Sequence, residues 1–537
     1  MPKALEKIIK IWPILLLVLF TFILRVIKIE DLFYFTYDES IPAFVGRRLL
    51  LEKHLPLIGG VTPFNFHLAP YFYWLLSLIL IIGKLNPIAW GWAAAIIAMF
   101  TTLMMYMVGK TFANYKVGFL AAAFWTFSYL ANVYDRHFWA LYWGPLVSLI
   151  VLYSLYKIIT CSVILSPSKS LRAKNLLRTF DKFTILLGIV IALSIHADPS
   201  NVVFLALSIL VWIIYKLPIK RSTFLAAGFI LFSFLPLVVF DLRHNFANTR
   251  PVAEFILQGR NNPGLNTHKF INNSLLFPRA ASRLIYTFGD NEIAKQYSYC
   301  QTFVSGKFKA IPIPILVIST ITILGFLIWS VARRKNQPQW FVMSLLLALY
   351  FVGIQIYGTI FRADIFEHYI TGTFALFLLV FVLLVSKLPK KLWLAVLGIF
   401  ILINLLKFSL AANSQGLSIK RRAIEYTMAQ VGNKPFSLDS LSTCWKLNGY
   451  RYLFAVFGHE PVKSYVDPNF SYLYGTTPVA ERHPLTVVAF VVHDFVPETA
   501  EFYKRYVFLK SHETKSAIFG IIEVIIMDNS TGWFDQN

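Results

Sequence analysis

Two adjacent carboxylates, Asp38 and Glu39, lie directly after the first hydrophobic segment of the chain. A carboxylate on the water side of a membrane helix can act as a general base with its neighbour as partner, or the pair can bind a metal ion. Adjacent acids are equally ordinary at the start of a helix, where the helix dipole favours negative charge. The pair alone leaves both interpretations open, and its surroundings must decide between them.

Further ionisable residues occur where later hydrophobic segments end. In chain order they are His67, Asp135, Arg136, His137, His196, Asp198, Arg243, His244, Arg362, Glu367 and His368. Each one alone is commonly a side chain that reaches from the end of a span to the lipid head groups. If all of them share the membrane face of Asp38 and Glu39, they predict a polar site there. The segment 241–310 adds nine Lys and Arg against four acids, which suits a substrate with an anionic leaving group such as a lipid phosphate.

The elements that must position these residues are hydrophobic segments of about 17 to 25 residues, the length of a helix that crosses a bilayer. The chain has 537 residues, of which 57% are hydrophobic and 14% charged, and its mean hydropathy is +0.62. Soluble domains are roughly half apolar and a quarter charged. Because a backbone in lipid must pair its amides internally, these segments predict transmembrane helices. The sequence therefore predicts an α-helical polytopic membrane protein.

The distribution of basic residues indicates which of the hydrophobic segments cross the membrane. The segments are 8–29, 67–83, 88–109, 117–133, 139–158, 182–197, 201–217, 222–241, 311–331, 339–359, 368–386 and 391–410. If 67–83 lies along the interface, the other eleven place most basic loops in the cytoplasm, as the positive-inside rule requires. Only Arg25 and Lys28, at the outer end of the first span, oppose this arrangement. The net charge of +23 is then explained by topology, without a nucleic-acid partner.

This topology predicts about eleven transmembrane helices plus an interfacial helix in the plasma membrane, with a cytoplasmic N-terminus. Residues 1–411 form the transmembrane domain, with outer loops 30–87 and 242–310 that share the outer interface with the ionisable residues. Residues 412–537 form a small extracytoplasmic α/β domain, because helical patterns at 419–431 and 498–506 alternate with strand patterns at 485–492 and 517–527. Cys300 and Cys444 share the outer side, so a disulfide between them stays open, and the three cysteines of the chain lack metal-ligand spacing.

At these motifs the chain resembles the GT-C superfamily of membrane glycosyltransferases, which includes protein O-mannosyltransferases, lipid A aminoarabinose transferases and lipid A galacturonosyltransferases. The resemblance covers roughly residues 10–410. It rests on Asp38-Glu39 in the first outer loop, the aromatic stretch from Phe66 to Tyr73, Asp135-Arg136-His137 before the fourth span, and the stretch from Phe240 to Phe246. Two features depart from the pattern. Many relatives have an Asp where this chain has the stretch from Ala140 to Trp143, and the interfacial motif usually has consecutive prolines, whereas Pro70 follows Leu68-Ala69.

The resemblance implies transfer of a sugar from a polyprenyl-phosphate carrier to a lipid, polysaccharide or protein acceptor on the extracytoplasmic face. Asp38 would be the general base, with Glu39 orienting it or the acceptor. His67 and His244 would be candidate ligands of a divalent metal ion. The substrate and its phosphate would be bound by Arg136, Arg243, His196, Asp135, Arg362 and His368. Either Asp135 would replace the missing acid, or the second acidic role would be absent. Attack opposite a departing phosphate would invert the anomeric carbon.

Three other classes of protein remain open. A multi-pass transporter or flippase would need ionisable or helix-breaking residues near the bilayer midplane, and usually an internal repeat. The span centres here are nearly free of charge, and no repeat is visible. A polysaccharide polymerase or ligase would use arginines of an outer loop without needing Asp38 and Glu39. A non-catalytic membrane scaffold would need none of these residues.

Overall fold

The computed structural model of the protein describes residues 3–33, 35, 37–62, 66–164, 171–260, 267–286, 311–361, 365–413, 416–441, 449–464, 484–493 and 500–536. Of Asp38 it describes the backbone alone. Helices dominate as far as residue 409, and a region of mixed helices and strands follows.

The helices of the first region account for every hydrophobic segment of the sequence. In chain order they are α1 (Lys3–Val26), α2 (Ile29–Leu32), α3 (Tyr37–Glu52), α4 (Tyr71–Ile82), α5 (Ile88–Phe112), α6 (Tyr115–Phe127), α7 (Tyr129–Asp135), α8 (Gly144–Ile164), α9 (Leu171–Ala197), α10 (Val202–Ile214), α11 (Arg221–Phe232), α12 (Leu235–Arg243), α13 (Thr249–Arg260), α14 (Thr267–Ile285), α15 (Ile313–Ala332), α16 (Pro338–Gln355), α17 (Phe374–Val385) and α18 (Lys390–Ser409). Short helical turns at Ala140–Trp143, Pro199–Asn201, Ile356–Ile360 and Glu367–Thr373 adjoin several of them.

Within the described residues, eight helical segments are long and apolar enough to cross a membrane. They are Ile88–Phe112, Ala140–Ser162, Leu177–Ala197, Arg221–Arg243, Ile313–Ala332, Pro338–Ile360, Glu367–Val385 and Lys390–Ser409. The pair α6 and α7, bent by 65°, makes a ninth if the two cross together, and Trp12–Val26, Tyr71–Ile82 and Pro199–Ile214 are shorter apolar helices. The predicted polytopic α-helical membrane protein is confirmed. The count of eleven crossing helices stays a prediction.

The bend between α6 and α7 is fixed by side-chain contacts at Ser128. Its hydroxyl oxygen accepts a hydrogen bond from the Ala131 amide at 3.4 Å, which caps the start of α7. The same hydroxyl donates to the Leu284 carbonyl of α14 at 3.2 Å. The Tyr129 amide, which α7 cannot pair internally, donates to the side chain of Asn404 on α18 at 2.8 Å. Two neighbouring helices therefore hold the bend that directs the end of α7.

Small and hydroxyl side chains allow the first spans to pack closely. A Cβ atom on Gly109 of α5 would lie only 2.8 Å from the Cα atom of Gly118 on α6, so the two backbones are nearly in contact. The hydroxyl of Thr21 on α1 lies 2.8 Å from those of Thr102 on α5 and Thr126 on α6. Close backbone approach and hydrogen bonds between helices are the usual sources of stability for helix packing in lipid.

The C-terminal region folds as a five-stranded mixed sheet with helices. It contains α19 (Leu417–Val431), β1 (Phe436–Leu441), α20 (Tyr450–Phe457), β2 (Lys463–Ser464), β3 (Thr486–Val492), α21 (Ala500–Ser511), β4 (Glu513–Phe519) and β5 (Ile522–Asp528). The strand order is β2-β1-β3-β5-β4, parallel from β2 to β3 and antiparallel beyond. The predicted α/β character is therefore present. A single strand over 517–527 is wrong, because Gly520, at a φ of +61°, turns the chain between β4 and β5.

Candidate active site

A cavity of about 520 Å³ lies beside the first turns of α3. Stretches of the chain that are far apart in sequence form its walls. They are α3, residues 60–62 and 68, α4, the turn 137–142, the turn 196–199 and the segment 366–369. Its ionisable lining consists of Glu39, His137, His196, Asp198 and His368. The structure thus brings together five of the polar residues that the topology predicted at one interface.

Glu39 and His137 form a buried pair in this cavity. The Nδ1 atom of His137 lies 3.0 Å from Oε1 of Glu39, and both side chains are almost fully buried. Glu39 is in the first turn of α3, while His137 follows α7 and is held there by a hydrogen bond from its amide to the Tyr134 carbonyl. Since a carboxylate accepts, the imidazole donates from Nδ1. The contact fixes the first turn of α3, which also carries Asp38.

The turn after α9 contributes two further polar groups. Nε2 of His196 lies 2.8 Å from the Ser233 hydroxyl, which itself donates to the Ile230 carbonyl, so His196 donates from Nε2. Asp198 accepts a hydrogen bond from the Ser200 amide at 2.8 Å. Burial raises the pKa of Asp198 to about 6, although the hydrogen bonds from Ser200 oppose that shift. The carboxyl group of Asp198 therefore changes its charge close to neutral pH.

Aromatic rings make up much of the remaining wall. They are Phe72, Tyr73, Phe138, Trp139, Tyr142, Phe366 and Tyr369. The ring of Trp139 lies 4.9 Å from that of His368, and the ring of Tyr142 lies 5.1 Å from that of His137. Apolar and aromatic walls with a few converging polar groups are the usual lining of a small-molecule site.

Asp135 and Arg136 do not line the cavity but bind the end of α1. The guanidinium of Arg25 donates twice to Oδ2 of Asp135, at 3.0 and 2.7 Å. Arg136 donates to the Leu24 carbonyl at 2.6 Å and lies over the ring of Phe408. Arginine near a helix C-terminus satisfies carbonyls that the helix leaves unpaired. Both side chains thus make structural contacts, and their predicted roles toward a substrate stay predictions. Arg25, the basic residue near the end of the first span, has its partner in Asp135.

The two candidate metal ligands lie in different settings. Nδ1 of His67 is 3.0 Å from the Gly59 carbonyl, whereas His244 is exposed and stacks on Phe240. Arg243, beside it, is also exposed at the end of α12. Nowhere among the described side chains do three or more His, Cys, Asp or Glu come together as a metal site. The roles of His67 and His244 as metal ligands stay predictions.

The stretch from Phe240 to Phe246 is linked by hydrogen bonds to the backbone of His67, which its sequence did not indicate. The Asp241 carboxylate accepts from the Asn248 amide at 2.7 Å. The Asn248 side chain in turn accepts from the His67 amide at 2.5 Å and donates to the His67 carbonyl at 3.0 Å. Through these bonds α12 holds the backbone of His67, next to Leu68 in the cavity wall.

Two predicted residues cannot be placed at side-chain level. Arg362 lies outside the described residues, and the side chain of Asp38 is not described, although its backbone is in the first turn of α3 next to Glu39. Their roles stay predictions.

Sequence reasoning missed two parts of the site. The first is the aromatic wall, for which the run Phe138-Trp139-Ala140-Leu141-Tyr142-Trp143 was the available signal. The second is the anchor of the segment that bears His368. There the buried Glu367 accepts from the Tyr134 hydroxyl at 2.9 Å and from Arg283 of α14 at 2.8 Å. No local pattern could indicate partners so far away in sequence.

The comparison with known proteins rests on three-dimensional likeness. No model of a known protein family matches the sequence, and no curated protein sequence matches it. The predicted GT-C-like fold agrees with this likeness, which concerns the fold alone.

Two solved structures illustrate the likeness. ArnT from Cupriavidus metallidurans, bound to undecaprenyl phosphate, is 10% identical with a TM-score of 0.50, over 95% of this chain and 97% of that one. The archaeal oligosaccharyltransferase AglB from Archaeoglobus fulgidus, in complex with an inhibitory peptide and a dolichol-phosphate, is 12% identical with a TM-score of 0.46, over 97% of this chain and 74% of that one.

Proposed function

We propose that this protein is a glycosyltransferase that moves a sugar from a polyprenyl-phosphate donor to an acceptor at the extracytoplasmic face of the membrane. The observation that carries the proposal is the aromatic cavity lined by Glu39, the sequence neighbour of Asp38, with His137, His196, Asp198 and His368 in its wall. The fold supports it, since a chain of the same fold, ArnT, was crystallised with undecaprenyl phosphate. The acceptor is a lipid, a polysaccharide or a protein.

In the proposed reaction the Asp38 carboxylate takes the proton of an acceptor hydroxyl. The acceptor oxygen forms a bond to the anomeric carbon while the bond from that carbon to the phosphate oxygen breaks. Polyprenyl phosphate leaves with the electron pair, and attack from the opposite side inverts the anomeric carbon. General-base catalysis of this kind contributes about 10²–10⁴ in rate.

The other residues position the reactants in this scheme. Glu39, held by His137, fixes the turn of α3 that carries Asp38. Asp198, His196 and His368 contact the sugar from the cavity wall. Arg243 and Arg362 remain the proposed partners of the leaving phosphate.

No step is assigned to a metal ion. The described His, Asp and Glu side chains do not converge in the way that a divalent cation requires. Glu39 and His137 bind each other, and His67 is engaged with a backbone carbonyl. Because these side chains already have partners, the scheme is written with this chain's own groups.

The proposal is tested by release of polyprenyl phosphate from purified protein in nanodiscs, with a panel of polyprenyl-phosphate sugars and an envelope fraction as acceptor source. We expect release with at least one donor, and a fall of about 100-fold or more in Asp38→Asn. Asp31→Asn, an exposed acid on α2, is the matched control and should behave as wild type. Equal rates for Asp38→Asn and wild type would refute the base assignment. No consumption of any donor would favour a transporter or a polymerase.

A further inference from the structure

The C-terminal domain binds the backbone that leads into α3. The Leu417 amide, at the start of α19, donates to the Phe33 carbonyl at 3.3 Å. One turn later the ammonium of Lys420 donates to the Phe35 carbonyl. Phe33 and Phe35 are themselves fully buried. The first helix of the C-terminal domain therefore holds the chain three residues before Asp38.

Glycine contacts make this junction unusually close. A Cβ atom on Gly416 would lie 2.0 Å from the Asp31 carbonyl oxygen, so only a residue without a side chain allows the approach. Gly449 has a φ of +89°, and a Cβ there would lie 2.9 Å from the ring of Phe35 and 3.2 Å from Cβ of Ser40. The junction thus reaches from α2 into the first turn of α3.

Side chains extend the contact along the outer face of α3. The ring of Tyr452 lies 5.6 Å from Phe35 and 5.4 Å from Phe44, and its hydroxyl donates to the Leu85 carbonyl at 2.6 Å. Arg47 of α3 forms an ion pair with Glu460. Helix α3 is therefore bound by the C-terminal domain at both its beginning and its middle.

Lys420 is a charged residue that is buried in this junction. Its side chain is 1% exposed, and burying an ammonium group is unfavourable unless strong partners replace its water. The Phe35 carbonyl is one partner, and the ring of Tyr450, 5.7 Å from the ammonium, is another. An apolar residue of similar length would fill the same space without that cost. The ammonium of Lys420 thus holds the Phe35 carbonyl, and with it the entry into α3.

We propose that the C-terminal domain is a positioning domain for the catalytic turn of α3, and that Lys420 is its positioning residue. The role in catalysis rests on the proposed function. The contact of Leu417 and Lys420 with the backbone of Phe33 and Phe35, called the clamp below, does not. Because a misplacement of about 1 Å can cost about 100-fold in rate, loosening the Phe35 backbone displaces Asp38 from the acceptor without changing donor binding.

The test uses the full chain in nanodiscs and two lysine variants. Lys420→Met removes the charge and keeps a side chain of similar length. The matched control is Lys504→Met, which removes an exposed lysine of α21. We expect faster amide hydrogen exchange over residues 37–47 in Lys420→Met, with unchanged exchange in β3 and β5. We also expect kcat to fall about 10- to 100-fold with an unchanged KM for the donor. Lys420→Arg, which keeps the charge and its donors, should restore part of kcat.

The two readouts fail in distinguishable ways. Exchange over residues 37–47 that equals that of Lys504→Met would overturn the clamp, whatever the reaction is. Faster exchange with an unchanged kcat would overturn the positioning role. A wild-type protein that consumes no donor would refute the proposed function, and the exchange measurement would still decide the clamp. A loss of kcat that Lys420→Arg does not reverse at all, with a lowered melting temperature, would indicate general destabilisation and contradict the proposal.

Discussion

Glu39 and Asp198 are carboxyl groups of one cavity with different partners. Glu39 accepts from the imidazole of His137, whereas Asp198 accepts from the Ser200 amide. Two acids in unlike environments can hold different charges at one pH, and many active sites divide their roles in this way. Because the pKa of Asp198 is raised to about 6, its carboxyl group changes charge within the pH range of an ordinary activity assay.

We expect the pH profile to report on Asp198. Burial raises its pKa to about 6, so the carboxyl is mostly protonated below that pH and ionised above it. An ionised carboxylate accepts hydrogen bonds from sugar hydroxyls more strongly than the neutral acid. The ratio kcat/KM for the donor should therefore rise as the pH increases through about 6 and then level off. In Asp198→Asn the step near pH 6 should vanish and the plateau should be lower. A step of unchanged height in Asp198→Asn, with Asp31→Asn as control, would assign the titration to another group.

The three consecutive residues Asp135, Arg136 and His137 show the limit of sequence reasoning at this scale. Their position at the end of α7 predicts that they share one membrane interface. They nevertheless face different neighbours: Asp135 binds Arg25, Arg136 binds carbonyls of α1, and His137 enters the cavity. Hydrophobic periodicity gives the level of a residue in the membrane. The direction of its side chain around the helix end depends on tertiary packing, which local sequence does not contain.

At the scale of elements, the contact between α1 and α7 explains why Arg25 lies near the end of the first span and why Arg136 lies against it. Arg25 is buried and pairs with Asp135, and its Nη1 atom donates to the Thr126 carbonyl at 2.8 Å. Arg136 satisfies carbonyls at the end of α1. These contacts bind the broken helix α6–α7 to the first span, and so they place His137 next to Glu39.

We expect Arg25→Met to be strongly destabilising. It leaves the buried Asp135 carboxylate without its cation, a change that typically costs about 3–5 kcal/mol. The melting temperature in detergent should fall clearly, and Asp135→Asn added to Arg25→Met should recover part of the loss. Lys28→Met removes a nearby exposed cation and should melt like wild type. The expectation fails if Arg25→Met and Lys28→Met melt alike.

At the scale of the whole molecule, the junction between α3 and α19 constrains the topology. Segments in direct contact lie on the same side of a membrane, so an even number of spans must separate them. Counting α6–α7 as one span and α11–α12 as another, nine spans that are long enough to cross lie between α3 and α19. The contact therefore requires that one of the two short apolar helices, α4 or α10, crosses and that the other does not. The distribution of basic residues favours the crossing of α10 and an interfacial α4.

The apolar surface of the spans agrees with this arrangement. Only 6% of the segment Arg221–Arg243 and 17% of Ile313–Ala332 are buried within the protein, although both are strongly apolar. Exposed faces of this size are stable in lipid and would be unstable in water. Sequence could predict this much, because hydropathy depends on composition. It could not predict the junction of Phe35 with Lys420, which joins residues 385 positions apart.

We expect labelling of single cysteines to place the C-terminal domain outside the cell. Three full-length spans, Pro338–Ile360, Glu367–Val385 and Lys390–Ser409, separate the loop at Lys335 from that domain. An odd number puts the two on opposite sides, and the positive-inside rule assigns Arg333, Arg334 and Lys335 to the cytoplasm. After replacement of Cys161, Cys300 and Cys444 by serine, Lys504→Cys should react with a membrane-impermeant maleimide in intact cells. Lys335→Cys should react only after permeabilisation. The reverse pattern would put Asp38 and its cavity on the cytoplasmic face, and transfer at the outer face would be excluded.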